Sequence, residues 1–176
     1  MTDSKKAILY GLATVSIWST VASAFKIALR DLAPLQLLFC ACTVSIAVLT
    51  AILLVQGKLG EIVRMGRKET LRCALLGLLN PFLYYTILFK AYDLLPAQEA
   101  QPINYTWAVT LSLLSVPLLG QKLSFKALAA ILLSYLGVVV ISTHGDLLGM
   151  HFSSLTGVAL ALGSTVIWAL YWIFNT

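Results

Sequence analysis

Six long apolar runs follow one another along the chain, separated by short segments that carry charge, proline or glycine. A bilayer core about 30 Å thick needs about 20 apolar residues of helix, so runs of this length limit the possible folds severely. The runs are Ala7 to Leu29, Leu35 to Val55, Leu71 to Tyr92, Gln98 to Leu119, Ala127 to Ser142 and Ser154 to Phe174. The sequence therefore predicts an all-α, polytopic membrane helix bundle of about six transmembrane helices.

Charged residues are too scarce for a soluble domain. They make up 11% of the 176 residues, against roughly 25% in soluble proteins. The net charge of +5 comes from basic residues at the ends of apolar runs rather than along one polar face. This distribution favours the lipid bilayer as the partner and excludes nucleic acid.

The basic residues also predict the orientation of the chain. By the positive-inside rule, segments rich in lysine and arginine remain cytoplasmic. Nine basic residues precede the first run or lie in the second and fourth connections: Lys5, Lys6, Lys58, Arg64, Arg67, Lys68, Arg72, Lys122 and Lys126. Three others, Lys26, Arg30 and Lys90, lie near run ends on the opposite side. We expect a multi-pass protein of the cell inner membrane with a cytoplasmic N-terminus.

A weak internal repeat suggests how the chain is organised. "VSIWSTVASAFK" at residues 15–26 aligns with "TVIWALYWIFNT" at residues 165–176, matching Ile17-Trp18 with Ile167-Trp168. Five crossings separate the two copies, so they would cross the membrane in opposite directions. Many secondary transporters are built from inverted repeats, with the substrate site at the repeat interface. We expect a first repeat over residues 1–142, an outer connection over 143–153, and the first helix of an incomplete second repeat over 154–176.

Several motifs resemble EamA-type transporters of the drug/metabolite transporter superfamily. The turn at residues 119–124, "LGQKLS", is similar to the family's "lGE-x-ls" turn, and Gly137 lies in the helix that follows. Trp18-Ser19 followed by Lys26 resembles the "WG...iK" pattern of the first helix. Two residues depart from the family pattern, Gln121 in place of Glu and Cys40 about where an Arg is common.

The resemblance implies the first half of an inverted-repeat ten-helix transporter. It implies a secondary transporter, permease or exporter, that moves small organic metabolites such as amino acids or drugs by alternating access, with a proton as one choice of coupling ion. Two alternatives remain open: a half-sized multidrug-type exporter working as a homodimer, and a non-transporting membrane scaffold or sensor subunit. Phosphate-loop, zinc-protease and nucleophile-elbow motifs are absent from the sequence, so we expect no enzyme activity, cofactor or metal.

Polar side chains within apolar helices are the candidate substrate-binding residues, because lipid tolerates them only where they face protein or water. The candidates are Asn80 and Tyr84 in the third helix, Gln98, Gln101, Asn104 and Tyr105 in the fourth, and Ser19 and Ser23 in the first. The competing interpretations are a structural kink at Pro81, an interfacial cap on the fourth helix, and close packing of the first helix. Trp18 is predicted to pack on the other side of the first helix.

Two charged residues are candidates for coupling or for recognising substrate charge, Glu99 and Lys26. The alternative for Glu99 is an interfacial ion pair with Lys90. His144 and His151 are predicted to be ordinary loop residues.

Overall fold

Six helical spans make up the computed structural model, which describes residues 3–143, 145–146 and 153–175. The spans are Ser4–Ala28, Pro34–Val55, Arg67–Leu94, Ala97–Leu119, Phe125–Ser142 and Leu155–Asn175. Each matches one predicted run to within about one helical turn. The described residues contain no strand, and the prediction of a polytopic all-α membrane bundle is confirmed. His144 and His151 lie outside the described residues.

Nine α-helices and one π-helical segment form the described part of the chain. They are α1 (Asp3–Ala28), α2 (Pro34–Val55), α3 (Leu59–Val63), α4 (Arg67–Gly77), the π segment (Leu78–Leu83), α5 (Tyr84–Leu94), α6 (Ala97–Tyr105), α7 (Trp107–Leu119), α8 (Phe125–Ser142) and α9 (Leu155–Asn175). The short α3 lies in the second connection, between the second and third spans.

The third span is interrupted where Pro81 was predicted to kink it. Proline has no backbone N–H to donate within a helix, and the span changes from α to π geometry across the π segment. Asn80 leaves helical geometry altogether, with φ −143° and ψ 116°. Asn80 and Tyr84 therefore do not lie on one unbroken helix, although both were predicted to lie in the third helix.

The fourth span is two helices rather than one. Pro102 lies inside α6, and Thr106 separates α6 from α7. The Thr106 hydroxyl donates to the carbonyl of Ile103 at 2.7 Å, which satisfies a backbone acceptor at the break. At the other end of α7, Gly120 adopts a left-handed φ of 67°, a conformation that glycine tolerates best. The helix is therefore interrupted at Thr106, close to the polar residues of the span.

The last helix, α9, lies at the centre of the packing. It packs most extensively against α5 and α7 and also contacts α6, while α1 contacts α5 and α6 and α8 contacts α6. Small residues allow these close approaches, since Ala91, Ala100 and Ala161 are completely buried. At Gly157 a Cβ atom would lie 2.6 Å from Cγ of Leu95, so α9 packs closely against the side chains at the end of α5.

Candidate functional site

A pocket of about 190 Å³ lies between α1, α5, α6 and α9. It is lined by Trp18, Val21, Ala22, Phe25, Tyr84, Tyr85, Leu88, Tyr92, Gln101, Asn104, Tyr105 and Trp168. Most of these side chains are aromatic, two are amides, and none carries a formal charge. A pocket of this kind can hold the apolar part of a small solute against rings while amides hydrogen-bond its polar atoms.

The aromatic side chains pack against one another to form the pocket wall. The rings of Tyr84 and Trp168 lie 4.6 Å apart between centroids, and those of Phe25 and Tyr92 lie 5.6 Å apart. Tyr84 also contacts Tyr85 at 4.9 Å in an edge-to-face arrangement. These geometries are the favoured ones for aromatic pairs. The wall is therefore held by ring contacts between three spans.

Asn104 is the centre of a buried hydrogen-bond network. The Tyr84 hydroxyl donates to Asn104 Oδ1 at 3.2 Å and accepts from Nδ2 at 3.1 Å. Nδ2 also donates to Oγ of Ser164 at 3.1 Å, and Ser164 donates to the carbonyl of Ala161. One amide thus connects α5, α6 and α9, because each partner lies on a different helix.

Gln101 and Tyr105 form the polar side of the pocket nearer the surface of the bundle. Gln101 Nε2 donates to the Tyr105 hydroxyl at 3.1 Å, one helical turn further along α6. Tyr105 is 44% exposed, so the pocket opens to the outside of the bundle at this residue. Four of the predicted substrate-binding residues therefore meet at one pocket: Tyr84, Gln101, Asn104 and Tyr105.

The first helix presents a different face to the pocket from the predicted one. Ser19 and Ser23 are exposed and lie outside the pocket, and the Ser19 hydroxyl donates to its own helix at the Ser16 carbonyl. Trp18, which lies on the other side of the helix from these serines as predicted, lines the pocket instead. Helical residues four apart share a face, whereas adjacent residues are rotated by about 100°. The inward face of α1 therefore runs through Ala22 and Phe25, and Trp18, which is 48% exposed, lies at the edge of the pocket.

Two further candidates lie outside the pocket. Gln98 is exposed near the start of α6, while Asn80 lies in the π segment with a buried Oδ1 atom that has no hydrogen-bond partner among the described residues. Neither lines the pocket.

Glu99 and Lys26 also lie outside the pocket lining, and both are engaged elsewhere. Glu99 is completely buried, and its carboxylate accepts hydrogen bonds from the hydroxyl of Ser153 at 2.5 Å and from its N–H at 3.4 Å. The predicted ion pair with Lys90 was wrong, because Lys90 pairs with Asp93 at 2.7 Å.

Lys26 is held at the end of α5. Its Nζ donates to the carbonyls of Tyr92 at 2.7 Å and Leu95 at 3.0 Å. The last carbonyls of a helix have no amide partner within the helix, and a cation is favoured beside them. This contact anchors α1 to α5 near the pocket.

The sixth span supplies residues that the sequence did not single out. Ser164 bonds Asn104, and Thr165 forms a 2.9 Å hydrogen bond with Thr110 of α7. Trp168 forms part of the pocket wall. The signal that could have identified it was the repeat, which aligns Trp168 with Trp18, and both tryptophans line the same pocket. Within the described ranges, no group of three potential ligands could hold a metal ion.

Comparison with known proteins identifies the family of the chain. The family model of the EamA-like transporter family matches residues 5–143. The chain belongs to this family. The family is described as one of transporters, which agrees with six candidate membrane spans, four of which line an uncharged, partly polar pocket.

Two relatives of this EamA-like chain are described as uncharacterized transporters. The protein from Archaeoglobus fulgidus is 25% identical over 171 residues, which cover 97% of this chain and 57% of the relative. YvbV from Bacillus subtilis is 36% identical over 120 residues, which cover 68% of this chain and 38% of the relative. The chain thus spans about half the length of one curated relative and less of the other. No solved structure matches it.

Proposed function

We propose that the protein is a secondary transporter that moves a small organic metabolite, such as an amino acid or a drug, by alternating access through this pocket. The observation that carries the proposal is the position of Trp18 and Trp168. The sequence repeat aligns these two residues, and both line the same pocket with Asn104 and Gln101. Transporters with inverted repeats bind their substrates at the interface between the repeats.

The chemistry of the pocket favours a solute with both apolar and polar parts. Rings of Trp18, Phe25 and Tyr92 offer apolar contact, while the amides of Gln101 and Asn104 can each donate and accept hydrogen bonds. Since no lining side chain is charged, recognition relies on hydrogen bonds and ring contacts. We further propose that the protein lies in the cell inner membrane with its N-terminus in the cytoplasm. The nine basic residues on the side of the N-terminus support this orientation.

Transport into liposomes tests the proposal. The protein is reconstituted, and counterflow of radiolabelled amino acids is measured for wild type, Asn104→Ala and Tyr105→Ala. Tyr10→Ala is the matched control, because Tyr10 lies on α1 outside the pocket and is 69% exposed. Loss of one or two hydrogen bonds worth about 1.5 kcal/mol should lower the rate about tenfold in the pocket variants. Equal rates in all four proteins would contradict the assignment of the pocket.

Thiol labelling tests the pocket without knowledge of the solute. In a chain without native cysteines, a membrane-impermeant reagent should react with Gln101→Cys and Tyr105→Cys and leave Ile103→Cys unmodified, because Ile103 is 3% exposed. The same reagent on intact cells should leave Ser4→Cys unlabelled if the N-terminus is cytoplasmic. If the protein is instead a scaffold subunit whose polar helix faces pack against each other, the cysteines at residues 101 and 105 should not react with the reagent.

A further inference from the structure

A second cavity lies along α4 and shares no lining residue with the solute pocket. It has a volume of about 410 Å³ and is lined by Lys68, Leu71, Arg72, Leu75, Leu76, Leu79 and Phe174. None of these residues lines the solute pocket. Residues three and four apart on a helix form one continuous face, so α4 and the π segment supply one wall and the last turn of α9 supplies the other.

The two basic residues lie at one end of this cavity. No ion pair involves Lys68 or Arg72 within residues 3–143, 145–146 and 153–175. Arg72 donates one N–H to the carbonyl of Phe174 at 3.4 Å, and a guanidinium has five N–H groups to donate. The nearest acid in sequence, Glu69, folds back against Gly66 at the start of α4. The cationic groups are therefore available to an anion.

The rest of the cavity is apolar and continues deeper along the helix. Leu71 is 61% exposed and Leu75 is 57% exposed, although both lie in a membrane span. At a rise of 1.5 Å per residue, Lys68 and Leu76 are separated by about 12 Å along the helix axis. A ligand that fills the cavity must therefore carry negative charge at one end and apolar length behind it.

We propose that this cavity binds an anionic phospholipid, with its phosphate and headgroup at Lys68 and Arg72 and an acyl chain along the leucines. Basic pockets between transmembrane helices on the side rich in lysine and arginine attract anionic headgroups. A soluble phosphate would satisfy the charges and leave the leucine face exposed, so the shape of the cavity favours a lipid. This site is independent of the transport proposal, because it shares no residue with the solute pocket.

Native mass spectrometry of the purified protein tests the proposal. The protein is titrated with phosphatidylglycerol and with phosphatidylcholine of identical acyl chains, and the ratio of the two affinities is measured. Phosphatidylglycerol should bind more tightly to wild type. In Lys68→Gln/Arg72→Gln the ratio should fall about thirtyfold, the equivalent of about 1 kcal/mol for each basic side chain. Lys68→Gln alone should lower it about fivefold.

Matched variants separate this site from general charge attraction. Lys58→Gln/Arg64→Gln removes the same charge from the same side of the bundle, outside the cavity, and should leave the ratio within about twofold of wild type. An unchanged ratio in Lys68→Gln/Arg72→Gln would overturn the proposal, as would an equal fall in the control. Competition with glycerol 1-phosphate, which has a phosphate but no acyl chain, separates a lipid from a soluble anion. If it displaces phosphatidylglycerol at equal concentration, the site binds a soluble anion and the lipid assignment is wrong.

Discussion

The contact between Gly157 and Leu95 predicts that two glycines on one helix respond oppositely to the same change. Replacing glycine by alanine in a helix interior contributes up to about 1 kcal/mol through propensity. At Gly163 the added methyl group meets no atom within 4 Å, so Gly163→Ala should be neutral or stabilising by up to about 1 kcal/mol.

At Gly157 the same methyl group would overlap its neighbours. It would lie 2.6 Å from Cγ and 3.0 Å from Cδ2 of Leu95, and 3.2 Å from Cβ of Leu94. Leu95 is 1% exposed, so its side chain has no free space into which it can rotate. Overpacking of this kind costs about 1–3 kcal/mol. The free energy of unfolding of Gly157→Ala should therefore be about 1–3 kcal/mol below that of Gly163→Ala.

Unfolding by sodium dodecyl sulfate in mixed micelles, followed by circular dichroism, measures this difference. Both variants remove one glycine from α9 and add one methyl group, so differences in composition cancel. If Gly157→Ala is as stable as Gly163→Ala, α9 does not approach the end of α5 as closely as described. The central position of α9 in the bundle would then be wrong.

Two further predictions concern the charged residues beside the pocket. Lys26→Met removes the donor to the carbonyls of Tyr92 and Leu95 and should lower the free energy of unfolding by about 1–3 kcal/mol in the same assay, while the exposed Arg30→Met should change it by less than about 0.5 kcal/mol. If Glu99 carries a coupling proton, Glu99→Gln, which keeps an acceptor for Ser153 but cannot ionise, should abolish uptake driven by a pH gradient while counterflow continues. Loss of both activities would indicate that Glu99 has a structural role and that a proton is not coupled through it.

The six spans could be predicted from the sequence because the need for an apolar helix is set by the surrounding lipid. A helix that crosses the bilayer must be apolar over about 20 residues whatever its neighbours are. The break at Pro81 was equally local, since it follows from a missing N–H. The division at Thr106 was not predicted, although Pro102 lies one turn before it and, like Pro81, lacks an N–H to donate within the helix.

The pocket was harder to predict because lipid and protein interior are similarly apolar. Hydrophobicity therefore does not show which face of a membrane helix points inward. On α1 the polar residues Ser19 and Ser23 suggested the inward face, yet the Ser19 hydroxyl bonds its own helix and Ala22 on another face is the buried residue. On α6 the predicted residue Asn104 does line the pocket, because a buried amide must find partners on other helices, and its binding of a substrate stays a prediction.

The network at Asn104 has a consequence for how tightly any solute can bind. The amide already has partners in Tyr84 and Ser164, so a solute that bonds Asn104 exchanges existing hydrogen bonds rather than adding new ones. The net affinity then reports a small difference between two large energies. The same exchange would remove the hydrogen bonds by which Asn104 of α6 holds Tyr84 of α5 and Ser164 of α9, so occupancy of the pocket would weaken the polar link between these three helices. Weak solute binding and a weakened contact between α6 and its two neighbours would then have the same cause.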